Sequence, residues 1–342
     1  MNSQKNSLLQ SYHFAGTATL TLRLVVGWTY FSAFWRRVIL ENKLDPDTAG
    51  YIGQKFNNFL PNALGIKPLI EYLVTHTDTL NTAMIGFTVI EAIVGLFIIL
   101  GLFTRLMSLG VILLALGILL GSGWLGTTCL DEWQIGVLGI AGGFVMLLTG
   151  SGKLSADYWL QNKARFASAK WFRILSSGNL PISKTCFQRI STTGAMLIFM
   201  LTLFTNQYFH GGLWGKLHNK SVKPKIEIID PIIKNDNLIF SVYRVEGADV
   251  YGSFLIGVNL ANSKGESVYN LDSEALSELG QESIDNKYVV KVKPGKHSLV
   301  IPLGAKAIIT LKDDVLSKLP SEIYELTLTD ISGIEWKQKV IK

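Results

Sequence analysis

The 342-residue sequence is poor in cysteine, histidine and charge, and each shortage excludes something. Two cysteines, Cys129 and Cys186, cannot build a disulfide framework. Five histidines without companions at ligand spacing exclude a zinc-type cluster. No Gly-x-Gly-x-x-Gly follows a strand pattern, and there is no Cys-x-x-Cys-His string and no iron–sulfur spacing. No metal, flavin or haem is therefore expected. Charged residues make up only 17% of the chain against 48% hydrophobic, which is too apolar for an ordinary soluble protein. The net charge of +6 is carried by the first part of the chain, where it speaks of membrane orientation and not of nucleic acid.

The apolar residues concentrate before about residue 210. A helix needs about 20 of them to cross the hydrocarbon layer. Stretches 15–40, 80–102, 104–120, 133–149 and 190–208 qualify or nearly so, which predicts five spans. The first is long, carries Arg23 inside it and lacks a small-residue exit, so it does not read as a cleavable signal. The loop 150–189 holds Lys153, Lys163, Arg165, Lys170, Arg173, Lys184 and Arg189 against one acid, Asp157. Basic loops stay inside, which puts the N-terminus in the cytoplasm and segments 41–79 and 121–132 outside. Both outer segments lean acidic, through Glu41, Asp45, Asp47, Glu71 and Asp78, and through Asp131 and Glu132. Cys129 and Cys186 then fall at opposite surfaces and do not pair.

From about residue 225 the pattern changes to short alternating runs: 225–228, 238–243, 288–292 and 324–328. Turn residues at 235–237, 294–296 and 330–333 separate them. This predicts an all-β sandwich outside the membrane. Residues 312–319 read as a short helix, and Gly211-Gly212 with the run 216–223 as a flexible tether. The expected order is a four-helix transmembrane domain over 1–165, a basic cytoplasmic linker over 166–189, a fifth transmembrane helix over 190–210 and the extracytoplasmic β-sandwich over 211–342.

Ionisable groups at membrane depth are costly and tend to be functional. Met84, Thr88, Glu91, Gly95 and Ile98 share one face of the second span by their 3-and-4 spacing. On the first span Arg23, Gly27, Tyr30, Phe34 and Arg37 form a stripe. Arg23 falls in the inner half, within reach of the depth of Glu91; the two either pair to fix helix register or serve chemistry. Arg36 and Arg37 lie at the outer end against the positive-inside rule, either as interfacial anchors or as an anion site, with the stripe favouring Arg37 for the inward position. Trp124 and Trp133 flank the cysteine loop as interface anchors or ligand contacts. Arg105 stands at the inner start of the third span. Cys129, beside Asp131, Glu132 and Trp133, is either a redox nucleophile or inert packing.

The string from Glu91 through Gly95 and Gly101 to Thr104 and Arg105 resembles the signature of DoxX-type four-helix membrane proteins. Leu22 to Trp28 resembles their first helix, and Gly152 to Leu160 the segment after their fourth. The cysteine loop and the Trp35-Arg36-Arg37 end are closer to the DoxD branch, and the last helix with its β-domain looks like DoxA. The whole resembles a fused DoxD–DoxA thiosulfate:quinone oxidoreductase. That resemblance implies that two thiosulfates become tetrathionate while a membrane quinone, an electron-accepting substrate and not a bound cofactor, takes two electrons.

On that reading Cys129 is the nucleophile, forming a cysteine S-thiosulfonate, and Glu91, positioned by Arg23, relays protons. Arg37 and then Arg36 bind the dianion, with Asp131 and Glu132 orienting an arginine or accepting a proton. Arg23, Trp124, Trp133 and Arg105 are the quinone-side candidates. The partners implied are thiosulfate, quinone and the bilayer of a bacterial or archaeal cytoplasmic membrane, with a homo-oligomer left open. A non-catalytic membrane partner of another oxidoreductase and a thiosulfate transporter are the rival functions.

Overall fold

A computed structural model describes residues 13–48, 50–126, 131–163, 166, 169–178, 180, 182–249 and 252–342. Cys129 lies outside these described residues. The chain forms two compact units that interleave along the sequence. One comprises residues up to 52, 81–123 and 130–218; the other comprises 53–80, 124–129 and 219–342.

The first unit is helical. Helix α1 (Leu20–Phe34) runs on into a π-helical segment, Trp35–Leu40. The short helices α2 (Ile52–Phe59) and α3 (Lys67–Thr75), which fall almost wholly in the second unit, precede the long apolar helices α4 (Thr77–Leu100), α5 (Thr104–Ser122) and α6 (Asp131–Thr149). Short helices α7 (Ala156–Gln161) and α8 (Lys170–Leu175) lead to α9 (Lys184–His210). Among the described residues four helices, α4, α5, α6 and α9, are long and apolar enough to cross a membrane, so this is a membrane protein. The first span, read from the sequence as one run over 15–40, is 15 residues of α-helix followed by six of π-helix.

Helix packing follows from small residues. A Cβ on Gly95 of α4 would collide with the Phe31 backbone of α1, so only glycine lets the two helices approach this closely. Tyr30, Val94, Ile98, Val111, Leu114 and Met146 fill the space between α1, α4, α5 and α6. The connection after α9 is not a free tether. Gly211 caps the helix with φ 63°, the Gln207 side chain accepts from the Leu213 and Trp214 amides, and the His218 amide returns to the His210 carbonyl at 3.0 Å.

In the second unit, residues 225–341 form ten strands among the described residues. They are β1 (Lys225–Lys234), β2 (Asn237–Glu246), β3 (Ser253–Ala261), β4 (Ser267–Leu271) and β5 (Ile284–Asn286), then β6 (Lys293–Pro294), β7 (Leu299–Ile301), β8 (Lys306–Lys312), β9 (Ile323–Asp330) and β10 (Glu335–Ile341). They form one nearly closed sheet in the order β5-β8-β2-β1-β10-β9-β3-β7-β6, with β4 added beside β3. Among the described residues only β1 and β10 pair in parallel. Alternation puts Leu238, Phe240 and Val242 of β2 and Leu326 and Leu328 of β9 in the core. The expected turns at 235–237 and 330–333 join β1 to β2 and β9 to β10, and the expected short helix is Asp314–Lys318.

The run 288–292 is apolar enough for a strand but is not one. Its polar groups bond elsewhere: Val290 N donates to Asn57 Oδ1 at 2.9 Å and Val292 N to Asn286 Oδ1 at 2.7 Å, while Tyr288 Oη donates to Glu71 at 2.7 Å. Asn57 and Glu71 belong to α2 and α3; Leu60 just after α2, and Ile70 and Val74 of α3, share a core with Tyr243, Val245 and Tyr288. The segment between the first two long helices thus folds as part of the β-unit.

Candidate functional site

The helix period decides what enters the bundle. Met84, Thr88, Glu91, Gly95 and Ile98 are all buried, Glu91 to 4% exposure, as one face of α4 must be if it is packed. Arg23, Gly27 and Tyr30 are buried on the facing stripe of α1. Arg37 continues that stripe inward and its Nη1 forms an ion pair with Glu91 Oε2. Its guanidinium also lies 5.8 Å from the Phe87 ring centroid. Arg36 points outward and its Nε donates to the Ser32 carbonyl at 3.2 Å. The π-helical turn carries both arginines; such turns are frequent at functional positions.

The partner of Glu91 is therefore Arg37, and the expectation that Arg23 positions Glu91 is corrected. Arg23 instead donates to two carbonyls just past the end of α6, Ser151 at 2.8 Å and Leu154 at 2.7 Å. Loop carbonyls at a helix end offer acceptors that no ladder uses, and the stem of Arg23 reaches them. The pairing also alters Arg37. A guanidinium matched to a buried carboxylate offers a dianion much less net attraction than a free one.

Arg105 is held in the same way at that end. Its Nε donates to Leu147 O at 3.2 Å, its Nη1 to Arg173 O at 2.9 Å and its Nη2 to Gly178 O. It borders a cavity of about 360 Å³ otherwise lined by leucine and isoleucine. Between them stands Asp157, which the sequence marks only as the lone acid of a basic loop. It accepts from the amides of Phe103 and Thr104 and from the hydroxyls of Thr104 and Ser177, at 2.7–3.0 Å. Burial pushes its carboxyl above the ordinary aspartate value, against the pull of the Thr104, Ser177 and Phe103 hydrogen bonds. Phe103 adopts a left-handed φ of 46° to make this turn. The motif from Gly101 to Arg105 is thus a helix-start knot tied to the segment after α6.

The cysteine loop joins α5 to α6 at their other end. A 19-residue helix separates that end from Arg105 by roughly 27 Å at about 1.5 Å per residue. Arg23 and Arg105 therefore do not meet anything bound beside the loop. Trp133 in the first turn of α6 donates its indole N–H to Thr205 Oγ1 of α9 at 2.9 Å. His210 Nε2 donates to the Gly123 carbonyl at 3.2 Å. Trp124 is 1% exposed, so neither ring face is open for a quinone to stack on, and its indole N–H has no partner among the described residues. Asp131 begins α6 and Glu132 is half-buried in its first turn.

Two further residues were not anticipated. Asn219 Nδ2 donates to the Gly126 carbonyl at 2.8 Å, and Ser221 Oγ accepts from the Gly126 amide at 3.0 Å. Their one sequence signal is a pair of small polar residues in a lysine-rich run.

An apolar helical bundle with an internal ion pair, continued by an all-β unit, defines a membrane protein with an appended β-domain. Residues 18–183 match the family described as TQO small subunit DoxD. Residues 209–339 match the family described as TQO small subunit DoxA. The earlier part of the chain matches the one family and the later part the other, so one polypeptide carries both thiosulfate:quinone oxidoreductase small-subunit families.

Proposed function

We propose that this chain is a membrane-bound thiosulfate:quinone oxidoreductase in which a single polypeptide serves as both small subunits. The carrying observation is the presence of both families in one chain. The Arg37–Glu91 pair supports it, because a buried carboxylate beside a guanidinium suits proton delivery to a quinone reduced between helices.

The chemistry needs one thiol. The Cys129 thiolate forms a bond to the terminal sulfur of one thiosulfate, and the two electrons released pass to the quinone, which takes two protons to become the quinol. The terminal sulfur of a second thiosulfate then attacks the outer sulfane sulfur of the adduct. The bond to Cys129 breaks, tetrathionate leaves and the thiolate is restored. Glu91 is the proton relay and Arg37 its positioning partner. The cavity beside Arg105 is apolar and suits a lipid or isoprenoid chain more than a headgroup.

In this reading the helix from 20 to 40 is a fifth span, about 30 Å long at about 1.5 Å per residue. The 53–80 segment and the β-strands share one compact unit, which favours both lying on one side of the membrane. Four helices between them, α4, α5, α6 and α9, return the chain to the side it left. The basic loop 150–189 then faces the cytoplasm and the β-unit faces outward.

Purified protein is expected to reduce a quinone analogue only when thiosulfate is present. Intact mass after thiosulfate and oxidised quinone is expected to show a reductant-sensitive gain of one thiosulfate on the Cys129 peptide. Undiminished tetrathionate formation by Cys129→Ala sinks the proposal.

A further inference from the structure

We infer that residues 211–217, which follow α9, form a hook that seats Leu213, Trp214 and Leu217 in the lipid interface at the C-terminal end of that helix; its partner is the bilayer surface. The inference needs only that α9 spans the membrane, and it does not rest on the proposed function.

The helix brings the hook to the right depth. α9 has 27 residues, about 40 Å at about 1.5 Å per residue, against a hydrocarbon layer of about 30 Å. Lys184 and Arg189, both exposed, hold its first turns at one surface, so its last turn reaches the headgroup region of the other. Met200, Phe204 and Tyr208 are exposed on one stripe by 4-residue spacing, while Thr205 and Phe209 are buried. That stripe is the face α9 turns to lipid. It ends in an aromatic pair, Phe204 and Tyr208, with ring centroids 6.1 Å apart.

Beyond Tyr208 the chain turns back on itself. Gly211 is left-handed, and a Cβ there would meet the Lys216 carbonyl at 2.7 Å, so the turn closes tightly. The His218 amide donates to the His210 carbonyl at 3.0 Å. The Gln207 side chain, in the last turn of α9, accepts from the Leu213 and Trp214 amides at 3.1 and 3.2 Å and donates to the Trp214 carbonyl at 3.3 Å. These bonds satisfy the backbone of the hook against its own helix. The side chains are left outside: Leu213 is 42% exposed, Trp214 68% and Leu217 69%.

Single exposed leucines are ordinary, but three large apolar side chains within five residues, held in place and continuous with a lipid-facing stripe, mark an interaction surface. The stripe names the partner, because the surface begins where the lipid contact of α9 ends. An indole prefers that zone, with its apolar body toward the chains and its N–H toward water. No acid stands between Tyr208 and Glu227, so the hook carries no carboxylate toward the hydrocarbon.

The test is tryptophan fluorescence of the full chain in phosphatidylcholine nanodiscs whose acyl chains are brominated either near the headgroup or near the chain end. The Trp214 emission is the difference between parent and Trp214→Phe. That substitution leaves the Gln207 bonds in place, since they go to the backbone. The Trp214 emission is expected to lose most of its intensity with the shallow label, less with the deep one, and little with acrylamide in the water. Equal or stronger quenching by the deep label overturns the interfacial seat. Quenching by acrylamide and by neither lipid means that the hook stands in water, and protection from all three means that a protein surface covers it; each overturns the inference. A second variant, Leu213→Ser/Leu217→Ser, keeps Trp214. Its Trp214 emission is expected to shift to the red and to become more accessible to acrylamide. An unshifted emission with unchanged acrylamide quenching shows that the leucines are not immersed and also overturns the inference.

Discussion

Thr104 and Asp157 are joined twice, the amide and the hydroxyl of Thr104 reaching the same carboxylate oxygen at 3.0 and 2.8 Å. The Asp157 amide returns a bond to the Gly101 carbonyl at 2.9 Å. The start of α5 and the turn after α6 are therefore one knot, built where α5 would otherwise expose unbonded amides.

Asp157→Asn keeps the size but turns an NH2 group toward donors. It is expected to cost about 2 to 3 kcal/mol, as a buried hydrogen-bond set left partly unsatisfied does. Thermal unfolding in detergent measures it, and an unchanged Tm rules out the knot as a stabilising feature.

Asp157 and Asp330 are expected to respond to pH in opposite directions. Burial raises Asp157 above its ordinary value of 3.8, so the folded state favours the protonated form. Its contribution is full below 3.8 and is lost as pH rises through the folded-state value. Burial also pushes Asp330 up, but hydrogen bonds from Ser253, Ser332 and Phe254 outweigh this and hold it below 3.8. Its contribution is present above 3.8 and is lost as pH falls through the folded-state value. Substituting each by Asn and comparing Tm across the acid range is expected to flatten the profile on opposite sides.

Arg37 and Glu91 are expected to be worth more in function than in stability. Arg37→Ala alone leaves a carboxylate buried without its partner and is expected to cost on the order of 3 kcal/mol. The double variant Arg37→Met/Glu91→Leu is expected to recover most of that loss while remaining inactive, since packed apolar groups replace buried ion pairs at little cost. Glu91→Gln is expected to lower turnover about a hundredfold, the scale of general acid–base assistance, with thiosulfate KM unchanged. An active Glu91→Gln enzyme removes the carboxylate from the relay.

Much of the bundle is legible in the sequence because helix period governs burial. The α4 face through Glu91 and the α1 stripe through Arg37 both follow from 3-and-4 spacing, and the choice of Arg37 over Arg36 for the inward position follows too. The partner of Glu91 is not legible. Which arginine lies level with it depends on where the two helices cross, and the contact of Gly95 with the Phe31 backbone sets that crossing. Local pattern fails at 288–292 for a similar reason. Alternating valines suit a strand, but the amide of Val290 is taken by Asn57, a partner remote in sequence. The clasp of Asn219 and Ser221 on Gly126 joins the DoxA-matched part to the DoxD-matched part, which no periodicity within either part reveals.

Asn57 tests that long-range dependence most directly. It is 0% exposed, donates to the Gly304 carbonyl at 2.7 Å and accepts from the Val290 amide at 2.9 Å. Asn57→Ala strands a buried carbonyl and a buried amide together, at an expected cost of about 2 to 4 kcal/mol. Because α2 and α3 share a core with Tyr243, Val245 and Tyr288, the loss is expected to spread through the β-unit and not stay in the helices. Hydrogen exchange on the full chain reads this: residues 53–75 and 284–305 are expected to lose protection together. Loss confined to 53–75 means the helices merely rest on the strands, and the two do not fold as one.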